Sequence, residues 1–179
     1  MLITKFFILI SLTIIMQGCL VFNTASYEIN FEDVNKGTVL MLVNDIRSDA
    51  TDTSKLDEDK DQLFNFMLKS DDFIKQMEEI GRYITDRQLF ISDGKLNGKL
   101  KYSFDDISSV ENFVFQDGIY FVTFQPTDSI ISTNGEIISS TDYKRIMWDE
   151  SVRTMKFEIF YTDVENGSLV ELTKYLEEE

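Results

Sequence analysis

The sequence predicts an α+β fold: a curved antiparallel sheet of about seven strands, covered by one main helix or two short helices inserted after the second strand. Three observations predict it. Stretches such as Tyr27–Glu32 and Met155–Tyr161 alternate apolar and polar residues, the period of a half-buried strand. Asp-Gly and Asn-Gly pairs recur between such stretches and mark tight turns. One long segment, Leu63–Tyr83, carries its apolar residues at helical spacing instead. Strands grouped around a helix, rather than alternating with helices, point to α+β.

The chain opens with MLITKFFILISLTIIMQGCL. A short start with Lys5 precedes Phe6–Met16, an unbroken run with only Ser11 and Thr13 as weakly polar members. A spanning helix needs about 20 apolar residues, so this run is too short. A charged start, a short apolar run and small residues at its end describe a secretory signal. The chain's single cysteine, Cys19, stands where that signal ends.

Three domain segments follow: a signal over 1–18, a tether over 19–26 and one α+β domain over 27–179. Tyr27–Glu32 is the first strand, and Asp33–Gly37 is a turn in which Gly37 supplies positive φ. Thr38–Ile46 is a second, apolar strand. Arg47–Lys60 is polar and acidic and reads as a loop. Asp57, Asp59 and Asp61 invite a calcium-loop reading, but Gln62 and Leu68 stand where that loop needs glycine and glutamate. No metal site is expected.

In Leu63–Tyr83, Leu63, Met67, Ile74, Met77 and Ile80 share one face, with Phe66 and Phe73 beside them. Ser70 followed by Asp71 and Asp72 looks like an internal N-cap, and Gly81 like a stop. Phe66, Met67, Phe73 and Met77 are candidates for an apolar groove, although a helix packed on a sheet needs the same residues for its core.

Asp93-Gly94 joins Leu89–Ile91 to KLNGKLKYSF. In the latter, Leu96, Leu100, Tyr102 and Phe104 alternate with Lys95, Asn97, Lys99 and Lys101, and Gly98 sits on the apolar face as a bulge or a close approach. Lys95, Lys99 and Lys101 are candidates for contact with a phosphate headgroup or an acidic partner. The simpler account is an edge strand protected by lysine. Phe104–Glu111 is a short helix opened near Asp105. Phe113–Phe115, the turn Asp117-Gly118 and Ile119–Phe124 repeat the hairpin pattern, while Asn134-Gly135 lies in a surface loop. Tyr143–Trp148 and Met155–Tyr161 are further strands. Asn166-Gly167 breaks the chain, and Leu169, Leu172 and Leu176 suit a final short helix.

Composition narrows the chemistry. There is no histidine, which removes the commonest general base and metal ligand. With Cys19 committed elsewhere, no thiol remains for a disulfide, zinc or nucleophilic catalysis. G-x-S-x-G, a phosphate-cradling glycine loop and H-E-x-x-H are missing from the sequence. Neighbouring Asp105 and Asp106 need no more than a cap to explain them. No catalytic residue and no cofactor is expected, and the enzyme class ranks last. A net charge of −15 repels nucleic acid. Removing residues 1–18 leaves 161 residues, enough for one domain.

Met16-Gln17-Gly18-Cys19 resembles the lipobox of bacterial lipoproteins. The resemblance implies cleavage after Gly18, diacylation of the Cys19 thiol and acylation of the new amino terminus. It implies a membrane partner held through that anchor and a bacterial cell-envelope location. Leu20 in place of aspartate leans toward the outer membrane, facing the periplasm, in a Gram-negative host. A lipobox followed by FEDVNKGTV between two strands, with the later DGKLNGKLKYSF hairpin, is similar to the LppM-type domain of envelope lipoproteins. That similarity implies a sheet-and-helix domain that binds lipid or another hydrophobic envelope component. The alternative is a structural lipoprotein that engages envelope proteins through its acidic surface, with no ligand pocket.

Overall fold

A computed structural model of the chain describes residues 20–162, 164 and 169–177. Gly18, Cys19 and the Asn166-Gly167 break lie outside the described residues. The fold is α+β, with a main antiparallel sheet of seven strands.

Strand β1 (Leu20–Phe31) and β2 (Gly37–Ser48) form a long hairpin. Helix α1 (Thr53–Lys60) runs into a π-helical segment (Asp61–Met67), and α2 (Asp71–Glu79) follows after a break. Strands β3 (Arg82–Ser92) and β4 (Lys95–Phe104) make the next hairpin. A 3₁₀ turn at Ile107–Ser109 leads to β5 (Phe113–Gln116) and β6 (Ile119–Phe124). Then come β7 (Ser129–Thr133), β8 (Glu136–Ser139), β9 (Lys144–Asp149) and β10 (Thr154–Phe160). Short β11 (Val170–Glu171) and α3 (Thr173–Glu177) close the described chain.

The main sheet has the order β3-β4-β2-β1-β10-β7, with β11 also paired to β2. A second sheet, β5-β6-β9-β8, was not distinguished in the sequence reading. Alternation identifies a strand but not the sheet it joins. The two sheets share one core, in which Tyr27, Ile29, Met155 and Phe157 of the main sheet meet Phe113, Tyr120, Ile146 and Trp148 of the smaller one. The Tyr120 hydroxyl donates to the Val34 carbonyl at 2.6 Å, tying the small sheet to the β1–β2 turn. A second cluster, built on Ile46, Leu63, Phe64, Leu96 and Leu172, packs the helical segment against the other end of the main sheet. Phe22 and Val43 touch both clusters.

Four expectations are corrected. Leu20–Ser26 is no tether: it is the first half of β1, paired with β2 from Leu20↔Ser48 onward. Thr53–Lys60 is helix rather than loop, because the Asp52 side chain caps it by accepting from the Lys55 N–H at 3.0 Å. Gly37 does not take positive φ. Glycine is required there because a Cβ would stand 2.2 Å from the Asn30 carbonyl oxygen across the hairpin. Strand β4 is not an edge, since β3 and β2 flank it, so its lysines guard no free edge.

The turns match the sequence. Asp93-Gly94 and Asp117-Gly118 both hold two successive positive φ values, 54° and 73°, then 53° and 79°. That is the type I′ geometry, whose twist fits a hairpin. Ser70 caps α2 by accepting from the Asp72 N–H at 3.1 Å.

Candidate functional site

The covered face of the main sheet holds a cavity of about 320 Å³. It lies where the two core clusters meet, bounded below by β1–β4 and above by the π segment and α2. Two backbone irregularities make it possible. In β2, Asp45 takes φ 54°, so the inward set passes from odd positions (Met41, Val43) to an even one (Ile46). In β3, the register shifts between Ile84 and Asp86, and Arg82 and Arg87 both reach the covered face. A strict period of two places such pairs on opposite faces. The Thr85 hydroxyl, at the bulge, donates to the Lys101 carbonyl at 3.2 Å.

The upper wall comes from the helices. A π turn closes i→i+5 bonds, and its wider turn brings Leu63, Met67 and Leu68 to the cavity together. Phe73 and Met77, one helical turn apart on α2, continue the wall. Of the four groove candidates, Met67, Phe73 and Met77 therefore line the cavity. Phe66 does not: its ring packs edge-on against Phe73 at 5.7 Å between centroids. Gly98 is part of the floor, and a Cβ there would meet the side-chain tip of Ile46, Cδ1, at 3.3 Å; what lies close is side chain, neither a bulge nor another backbone.

Two of the three lysine candidates are engaged by carboxylates. Lys95 Nζ lies 3.1 Å from Asp45, which also binds Arg47 at 2.8 Å, and Lys99 Nζ lies 2.7 Å from Asp86. Burial pushes the Asp45 carboxyl up, but hydrogen bonds from Arg47 and Lys95 outweigh it and hold the group below its ordinary value. Lys99 also borders the cavity, while Lys101 is exposed. The three therefore do not form a common site. The acidic candidates separate as well. Asp59 is buried against the Ser48 hydroxyl at 2.5 Å, Asp57 pairs with Lys60, and Asp61 accepts from Asn65. Asp105 pairs with Lys36 at 3.1 Å, and Asp106 caps the 3₁₀ turn through Ser108, so the two carboxylates are used apart.

A polar cluster at the cavity escaped the sequence reading. Arg82, Tyr27, Glu111 and Tyr161 all line it. The Arg82 Nε donates to the Ser109 carbonyl at 2.6 Å, and its Nη1 lies 3.6 Å from Glu111 Oε1. Tyr27 lies beside Glu111 and Tyr161 at this wall, close enough to act on the ionisation of both. Glu111 Oε1 is shielded from solvent yet has no hydrogen-bond partner. Burial raises the Glu111 carboxyl above its ordinary value, against the opposing charge of Arg82 and the neighbouring Tyr27 hydroxyl. Glu111 also takes φ 46°, a left-handed conformation that costs an L-residue roughly 1–2 kcal/mol. Its placement is imposed by the fold. Tyr27 and Glu111 are far apart in sequence and follow no local pattern that joins them.

Comparison with protein-family models, with curated proteins and with solved structures finds no match to this chain.

Proposed function

We propose that this chain is a membrane-anchored bacterial envelope lipoprotein whose domain binds lipid or another hydrophobic envelope component. The carrying observation is the cavity of about 320 Å³, walled mainly by aliphatic, methionine and aromatic side chains. That volume lies at the lower end of ligand pockets, which run from ~300 to 1,000 Å³ and are mostly apolar. The pocket is partly open to solvent, so a hydrophobic molecule entering it removes the apolar wall and its own surface from water. The reading assigns binding rather than catalysis, since the paired aspartates are used separately as an ion pair and a cap.

Anchor and cavity support one another. Leu20, the first described residue, borders the cavity. Lipidation of Cys19 therefore attaches the bilayer one residue from the pocket, with no spacer between them. Outer-membrane placement follows the same reading, from Leu20 beside the cysteine.

Native mass spectrometry of the chain purified from membranes tests the binding. A single-chain lipid adduct is expected. Leu100→Trp, which fills the cavity from β4, is expected to remove the adduct while leaving the unfolding midpoint within a few degrees. Lack of any adduct, or an adduct unaffected by Leu100→Trp, would sink the reading.

A further inference from the structure

The smaller sheet has two faces, and the core takes only one. Pairing puts Tyr120, Val122, Ile146 and Trp148 on the inner face, in the core shared with the main sheet. The alternate residues point outward. One row across that outer face reads Val114, Phe121, Met147, Glu136, and the next reads Thr123, Arg145, Ile138. None of their apolar members joins either core cluster, and Val114 and Ile138 are exposed. Apolar side chains gathered on an open face mark an interaction surface.

The charges on this face say what fits it. Among the described residues, neither Arg145 nor Glu136 has an ion-pair partner. The Arg145 guanidinium lies 4.2 Å from the Phe121 ring centroid and 4.8 Å from that of Tyr143, and its Nε donates to Thr123 Oγ1 at 3.1 Å. These contacts draw the cation over β6 and away from β8. Glu136 stands exposed on β8, at the far end of the row that begins with Val114 and Phe121. The face is therefore divided along β9, with a cation on an aromatic bed to one side and a carboxylate to the other. Asp149, at the end of β9, accepts from the Ser151 N–H at 2.9 Å.

We propose that this face joins a second copy of the chain across a two-fold axis lying along β9. Rotation about β9 keeps each row level and exchanges β6 with β8. Met147 then meets its own counterpart, while Phe121 and Arg145 of each copy meet Ile138 and Glu136 of the other. A two-fold contact needs a surface complementary to itself, and the division along β9 supplies one. An acidic peptide satisfies Arg145 and leaves Glu136 unmet, whereas a second copy answers both. The three strands offer a patch of about 15 by 20 Å, below the ~800 Å² per partner of a standard interface, so the dimer is weak and depends on concentration. Neither the anchor nor the cavity enters this contact.

The test uses the full chain carrying Met147→Cys and a bismaleimide of about 8 Å span, since packed sheets stand about 10 Å apart. Linked peptides are mapped by mass spectrometry, and the wild type, which carries Cys19 alone, is the blank. A 147–147 linked dimer is expected and grows with protein concentration. Ile131→Cys, exposed on β7 outside the contact, is expected to give none. Arg145→Glu and Glu136→Arg, each added to Met147→Cys, are expected to lower the linked fraction about tenfold, because each puts like charges together twice. The double reversal Arg145→Glu/Glu136→Arg is expected to restore it, which also reports an intact fold. Lack of a 147–147 link, equal linking through Ile131→Cys, or a double reversal that stays unlinked with a native circular dichroism spectrum overturns the proposal. Glu136 is exposed, so its reversal spares the fold, and an unchanged link in Glu136→Arg overturns the proposal whatever Arg145→Glu does.

Discussion

Glu111 shows how a residue's chemistry follows from its surroundings. Its carboxyl is raised by burial beside a cavity, with Arg82 and Tyr27 only partly offsetting the cost. The folded state therefore holds its proton to higher pH than the unfolded chain does. Between the ordinary glutamate value and the raised one, folding takes up a proton, so stability falls as pH rises through that window. Urea midpoints measured from pH 4.5 to 8 are expected to decline more steeply for the wild type than for Glu111→Gln, and parallel curves would refute the assignment. Asp45 acts in the opposite direction. Its lowered value gives stability that is present above the ordinary aspartate range and lost on acidification. Gly37 makes a steric prediction. With an added Cβ only 2.2 Å from the Asn30 oxygen, Gly37→Ala has to shift backbone in the β1–β2 hairpin. A loss of at least ~2 kcal/mol in denaturant unfolding is expected, in the upper part of the usual range for single substitutions. The glycine itself was legible in the sequence, but its reason was not, since a cross-strand approach depends on register.

At the scale of elements, Arg87 ties the break in the helical cover to β3, beside the apolar packing of Leu63 and Phe64. Arg87 donates from β3 to two carbonyls at the break between the π segment and α2, and its guanidinium lies 5.9 Å from the Phe73 ring. Hydrogen bonds to a charged group contribute ~1.5–3 kcal/mol each. Arg87→Ala is expected to cost about 2–3 kcal/mol and to speed amide exchange across 67–79 more than in β1. Uniform acceleration would mean that the cover is not separately held. The α2 cap, its Met/Phe face and both Asp-Gly turns were readable because each is a local pattern. Helix α1 was not, because its only large apolar residue is Leu56 and it offers no apolar stripe to read. The strand at Leu20–Ser26 was missed because Thr24 and Ala25 are both buried, which breaks the alternation that marks a strand.

For the whole molecule, the lipoprotein proposal makes a prediction that links the anchor to the cavity. Strand β1 is described from Leu20, which borders the cavity, so the proposed anchor at Cys19 would place the pocket beside the point of attachment. Labelled palmitate is expected to enter the wild-type chain and not Cys19→Ser. Incorporation that survives the substitution would remove the lipoprotein reading. Among the described residues no helix is long and apolar enough to cross a bilayer.

The sequence by itself determined the things that depend on neighbours along the chain. These are the α+β class, the type I′ turns at Asp93-Gly94 and Asp117-Gly118, the Ser70 cap and the apolar set on α2. Composition and spacing suffice for them, because alternation, turn chemistry and capping act over a few residues. Only the tertiary structure decided the division into two sheets, the place of β4 inside the larger one and the cavity between the two core clusters. It also decided the meeting of Tyr27, Arg82, Glu111 and Tyr161. Those features arise from pairing across the fold, such as Thr24↔Phe160, and from two irregularities at Asp45 and Thr85 that change which face a side chain joins. A reversal of face leaves no periodic trace, since a single irregular residue is enough to produce it.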